Sequence, residues 1–325
     1  MSISLNEKKS SKIQALRGLA IIAVVFIHTT PGGMAQVFCR PFINFAVGLF
    51  LFLSGLLSDA KTWRPAKRLI RVLVPYAVWT FVYTVIHSYR APDWIIRDYL
   101  HYLCFADSAA IMYYVFVYCE FTLLIPLIDR LARSKFKYIG FIFSPIEIIC
   151  MRLIPLVFGI HLNNNISILV GRSCLGWFTY FYMGYLIGNG YIKLKRSTAT
   201  IIIIWVFSIL LQMLEGYWFY SMGSSNCGTQ MKLTAVLSGS LFCILAYKYI
   251  ESNSFRRMRP LMILGNHSFG IYFSHLAIKQ LLLHIPRYNY YFQYPLSSIA
   301  LLVVSLVFVL LGHTILGRYA KYVAF

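Results

Sequence analysis

Arg17 and His28 stand at the two ends of RGLAIIAVVFIH, residues 17–28, whose interior is wholly apolar. At about 3.6 residues per helical turn the two side chains fall within about 20° of each other, and at about 1.5 Å per residue they lie about 16 Å apart along the axis. An arginine at one end suits phosphate or a lipid headgroup, and an imidazole at the other is a proton-transferring group. Ionisable side chains in apolar segments are costly and tend to line pathways or sites. The plainer reading is a topogenic arginine and a histidine satisfied by a neighbouring helix.

More such stripes shift the balance. In LGNHSFGIYFSH (264–275), Ser268, Tyr272 and His275 fall at i, i+4 and i+7, and Lys279 continues the row, so four polar side chains share one helix face. Tyr113 and Glu120, seven apart in YYVFVYCEFTLLIPLI, share another face, and Glu120 is an acid deep in an apolar run or a structural partner for a buried histidine or arginine. Arg64, Lys67, Arg68 and Arg71 form a basic cluster before Pro75. Inner-leaflet headgroups explain such a cluster, and so does a landing site for phosphates, which arginine clamps in bidentate fashion.

The elements that must position these groups are transmembrane helices. Of 325 residues 59% are hydrophobic and 12% charged, with mean hydropathy +0.68, outside the range of soluble domains. Apolar runs near the length that crosses about 30 Å of hydrocarbon recur throughout, and alternating strand patterns are absent. The expected fold is all-α and polytopic, with about ten transmembrane spans near 13–34, 42–58, 69–88, 111–129, 137–158, 166–188, 198–219, 231–250, 261–284 and 295–317. Residues 92–110 read as an interfacial helix. One membrane domain over 1–325 is expected, with no appended soluble domain. Residues 1–35 also have the outline of a cleaved signal, against which the motif at 17–28 argues.

The net charge of +20 lies mostly between the apolar runs, which disfavours nucleic acid and favours membrane lipids as partners. With both termini cytoplasmic, 22 of the 30 basic residues are inside and only Arg40, Arg90, Arg97 and Arg287 lie in outer loops. Arg152, Arg172, Lys232 and Lys279 remain, placed by the span directions in or near the outer leaflet; such a group suits an anionic acceptor. Seven cysteines without a CxxC pair imply neither a disulfide framework nor a zinc site, so no metal is expected.

These motifs resemble the membrane acyltransferase 3 family, which includes O-acetyltransferases of bacterial polysaccharides, lipopolysaccharide and peptidoglycan. RGLAIIAVVFIH matches its arginine and histidine separated by ten residues in the first span. GLFLFLSGLL (48–57), RLIRVLVPY (68–76), MYYVFVYCEFTLLIPLI (112–128), WFTYFYMGYLIGNG (177–190) and LGNHSFGIYFSH are similar to its later elements in the right order. Tyr113 departs from the tryptophan usual in the fourth span, and the carboxyl-terminal esterase-like domain of some relatives is missing.

The resemblance implies a multi-pass enzyme of the bacterial cytoplasmic (inner) membrane that moves an acyl group, usually acetyl, from cytoplasmic acyl-CoA to a hydroxyl of a cell-surface or lipid-linked saccharide. It calls for no bound cofactor, acyl-CoA being a substrate. On this reading Arg17, Arg68 and Arg71 hold the nucleotide phosphates, and His28 is general base or transient acyl carrier with Glu120 orienting it. Ser268 or His275 serves the oxyanion or the acceptor, and Arg152, Arg172, Lys279 and Tyr272 bind the acceptor. A transporter or flippase of a lipid-linked sugar is the competing reading; it predicts inverted repeats and broken helices at matching positions.

Overall fold

The computed structural model describes residues 5–88, 94–160, 173–252 and 258–325. Its helices in chain order are α1 Leu5–Ile27, α2 Met34–Cys39, α3 Phe45–Leu56, α4 Pro65–Ser88, α5 Ile95–Phe105, α6 Tyr113–Arg133, α7 Phe143–Ile148, α8 Ile154–Phe158, α9 Phe178–Gly188, α10 Thr198–Ser221, α11 Leu233–Glu251, α12 Arg259–Asn266, α13 Ser268–Leu283, α14 Tyr288–Tyr291 and α15 Leu296–Leu316. No strand occurs among the described residues. A π turn, Ile149–Leu153, joins α7 to α8.

Seven segments are long and apolar enough to cross a membrane: Asn6–Ile27, Met34–Leu56, Pro65–Ser88, Lys137–Phe158, Thr198–Ser221, Leu233–Glu251 and Leu296–Tyr322. Outward-facing Ile203, Phe207 and Leu214 on α10, and Val303, Leu311 and Ile315 on α15, are the surface a hydrocarbon solvent requires. The protein is therefore an integral membrane protein. The other three expected spans take different forms. The fourth is α6, which carries Glu120, Asp129, Arg130 and Arg133. Of the sixth, α9 is the described helical part, 11 residues long. The ninth is broken at His267, where non-helical backbone separates α12 from α13. The 11-residue α5 is too short to span and exposes Ile96 and Leu100, as a helix lying along an interface does.

The chain forms two compact units. Residues 1–63 and 124–266 make the first. At its centre is α9, buried at every position from Phe178 to Ile187. Lipid tails are as apolar as leucine, so spans associate through close packing rather than through exclusion from water. Glycines permit that approach: a Cβ on Gly184 or Gly188 would strike the carbonyls of Phe52 and Leu56 on α3, and one on Gly55 would strike that of Phe181. Gly184 and Gly188 form a G-x-x-x-G pair.

The first helix is built into this unit in the same way. Gly18 of α1 meets the Leu261 backbone of α12, and Gly265 meets that of Gln14. Lys12, 2% exposed, donates from Nζ to the carbonyls of Tyr249 (2.9 Å), Ile250 (3.3 Å) and Ser252 (2.6 Å), closing the C-terminus of α11. Lys9 adds an ion pair to Glu251 at 2.8 Å. The basic start of the chain is thus structural.

Residues 64–123 and 267–325 make the second unit. Hydroxyl and indole groups on spans tie it together. Tyr76 of α4 donates to the carbonyls of Tyr102 (3.0 Å) and Leu103 (2.9 Å) on α5, and Trp79 Nε1 donates to that of Val323 at 3.1 Å. Tyr83 bonds to α13, and Ser88 Oγ donates to Asp98 at 2.9 Å.

Candidate functional site

Arg17 lies in the middle of α1 and is half-buried. From there the helix runs unbroken to Ile27, and His28 is the first residue beyond it, its amide still donating to the Val24 carbonyl at 3.3 Å. The expected span, 13–34, is therefore shifted. Residues from Leu5 on are already helical, before the expected start, because Lys9 and Lys12 have partners at the end of α11. It stops before Thr29, Thr30, Pro31, Gly32 and Gly33, a run that ends helices. Thr29 Oγ1 donates to the carbonyls of Val25 (3.0 Å) and Phe26 (3.2 Å), and Thr30 Oγ1 to Phe26 at 2.7 Å, satisfying carbonyls left over at the helix end. His28 thus sits at the terminus of the candidate span rather than in its middle, on a half-buried shelf behind two threonines.

The second unit gathers the other candidates. Ser268, Tyr272, His275 and Lys279 all fall on the single helix α13, as their spacing requires. Ser268 is its first residue and is buried; Lys279 is half-buried. Tyr272 donates to the Ile111 carbonyl and packs its ring on Tyr114 at 5.4 Å, so its hydroxyl proton is committed to the segment before α6. The His275 ring is fully buried, 6.3 Å from that of Tyr272. Its Nδ1 lies 3.0 Å from the Ile271 carbonyl and 2.8 Å from that of Tyr272. A carbonyl has no proton to give, so Nδ1 carries the hydrogen and Nε2 holds the lone pair. Such a ring accepts a proton through Nε2 only.

One residue here was not anticipated. Tyr83 of α4, wholly buried, donates to the Phe273 carbonyl at 2.8 Å and accepts from the Ala277 amide at 3.1 Å. Those groups lie two residues before and two after His275. The signal available was a polar tip in the third span, beside Thr80 and Thr84.

Glu120 is half-buried on α6, in the part of that helix belonging to the second unit. Arg68 and Arg71 occupy the first two turns of α4, half-buried and exposed respectively. Arg152 is exposed in the π turn of the first unit, and Arg172 lies outside the described residues. The remaining member of the outer basic group requires a correction. Lys232 is not a surface cation facing a ligand: it is fully buried, and Nζ donates to the carbonyls of Cys227 (3.0 Å) and Gln212 (3.3 Å). An ammonium out of water needs such partners. Glu215 accepts from the amides of Leu233 (3.2 Å) and Thr234 (2.9 Å) and caps α11. Among the described residues no set of three His, Cys, Asp or Glu side chains could hold a metal ion.

A family model described as an acyltransferase domain matches residues 11–316, a range that contains both units' candidate residues. No curated protein and no solved structure matches the chain.

Proposed function

The chain belongs to the membrane acyltransferase 3 family, and from that premise we propose that this integral membrane acyltransferase moves an acyl group, acetyl in the simplest case, from cytoplasmic acyl-CoA to a hydroxyl of a cell-surface or lipid-linked saccharide. The observation that carries this reading is the helix that runs unbroken from Arg17 to Ile27 and presents His28 at its end. A cation for the donor's phosphates and an imidazole for its thioester are held on one rod about 16 Å apart, on the order of the reach of a phosphopantetheine arm. The orientation proposed is cytoplasmic termini in a bacterial inner membrane, which follows from the distribution of basic residues.

In the proposed step a histidine takes the acceptor's hydroxyl proton as the oxygen attacks the thioester carbonyl. The C–O bond forms, the C–S bond breaks, and the CoA thiolate leaves with the proton returned by the imidazolium. His28 is the candidate base of the first unit, and His275, through Nε2, that of the second. A backbone or hydroxyl donor such as Ser268 would meet the developing oxyanion. Arg68 and Arg71 are further candidates for the donor's phosphates, and Arg152, Arg172 and Lys279 for an anionic acceptor.

The test is hydrolysis or transfer of acetyl-labelled acetyl-CoA by purified protein. His28→Ala is expected to lower turnover about 10²–10⁴-fold. Undiminished turnover removes His28 from the reaction. A transporter of lipid-linked sugar would consume no donor in either form.

A further inference from the structure

We propose that Tyr83 is a positioning residue for His275: its hydroxyl, held across one rung of the α13 ladder, sets the turn that aims the imidazole and so decides which ring nitrogen carries the hydrogen. The inference rests on the reading of His275 as a base.

In a regular helix the Ala277 amide donates to the Phe273 carbonyl, and the two groups close the turn around residue 275. Here the same two groups also meet the Tyr83 hydroxyl, which gives its proton to Phe273 at 2.8 Å and takes one from Ala277 at 3.1 Å. A group inserted in the ladder alters the local pitch of a helix. That pitch matters because the His275 ring is anchored to its own backbone, with Nδ1 directed at the Ile271 and Tyr272 carbonyls. Those carbonyls belong to the turn immediately before the rung Tyr83 occupies. A change in pitch moves the anchor, and the anchor determines the tautomer.

Packing alone does not call for this hydroxyl. The Tyr83 ring already lies 6.2 Å from Trp79 and 6.4 Å from His87, and the Trp79 ring is parallel to that of Phe273 at 6.5 Å. Phenylalanine would fill the same space. What phenylalanine cannot do is hold that amide and carbonyl from another helix; the two are then left to close on each other as an ordinary rung.

The experiment uses full-length protein carrying ¹⁵N-imidazole histidine, with the His275 signals identified by their loss in His275→Gln. Wild-type protein is expected to show Nδ1 protonated and Nε2 bare. Tyr83→Phe is expected to introduce the opposite tautomer, and to lower kcat for acetyl-CoA about 10- to 100-fold with KM unchanged. A wild-type spectrum with Nε2 protonated overturns the proposal even if Tyr83→Phe does not fold. So does a folded Tyr83→Phe protein with wild-type spectrum and kcat. Full turnover by His275→Gln instead removes His275 from the reaction, and with it the reading on which the proposal rests, while leaving the spectral effect of Tyr83 to be read on its own.

Discussion

The two units hold their helices together in hydrocarbon with the same two devices in different proportion. In the first, helices meet backbone to backbone, Gly184 and Gly188 of α9 against α3 and Gly18 and Gly265 between α1 and α12, and two tyrosines of α9 add ties, Tyr180 to the Ala235 carbonyl at 3.1 Å and Tyr182 to that of Lys137 at 2.6 Å. In the second, tyrosines reach from one helix to the main chain of another segment, Tyr76 to α5, Tyr83 to α13, Tyr272 to Ile111. The contrast bears on chemistry. Contacts made by shape fix the approach of two backbones without a polar group at the contact, and α1, at whose end His28 stands, is held against α12 partly in that way. Contacts made by hydrogen bonds tie backbone geometry to side-chain geometry, and the helix they grip carries His275.

The largest expected effect breaks the first unit by shape. Gly184→Leu puts a side chain where the Phe52 carbonyl lies. The two helices must separate, at a cost near or above the top of the about 1–3 kcal/mol typical of overpacking. Thermal unfolding of detergent-solubilised protein should show a large fall in midpoint, and Gly184→Ala a smaller one. An unchanged midpoint for the leucine variant would mean that α3 and α9 do not meet at this glycine.

Next is a charged tie within the first unit. Lys12→Met keeps the stem but strips the carbonyls at the end of α11 of their shared donor, and about 2 kcal/mol of stability should be lost. If the role of Lys12 were topology alone, stability in detergent would not move.

In the second unit Tyr272→Phe keeps the ring against Tyr114 and loses only the bond to Ile111. Interhelical hydrogen bonds in membranes are worth about 0.6 kcal/mol on average, so a modest fall in midpoint is expected. Acceptor affinity separates this anchoring role from an acceptor-binding one, since an anchor leaves it near its wild-type value.

How much of this was legible in the sequence follows the same division. Apolar runs announce an all-helical membrane protein, and the periodicity of Ser268, Tyr272, His275 and Lys279 announces their shared face, because both are local properties. That α1 includes the residues before 13 was not legible, since its charged first turns are held by Tyr249 and Ser252, about 240 residues away. Lys232 read as an exposed cation for the same reason: its partners are main-chain carbonyls, and no residue type advertises those. The stop after His28 was written in Thr29, Thr30, Pro31 and the two glycines, but hydropathy over a long window runs through it.

The smallest effect concerns the edge of the second unit, where α5 meets the end of α4. Asp98 accepts from Ser88 Oγ and from Arg97, and these bonds, the Ser88 hydroxyl foremost, hold its carboxyl below the ordinary aspartate range. A group whose folded value is depressed binds fewer protons folded than unfolded as acid is added. Its contribution is therefore complete above the unfolded value, about 3.9, and is lost as pH falls through the lower folded one. The midpoint of wild-type protein should decline slightly faster than that of Asp98→Asn below about pH 4, and Ser88→Ala should remove most of the difference. Parallel curves for all three would show that the tie between α4 and α5 is carried by tyrosine hydroxyls, those of Tyr76 and Tyr99, and not by Asp98.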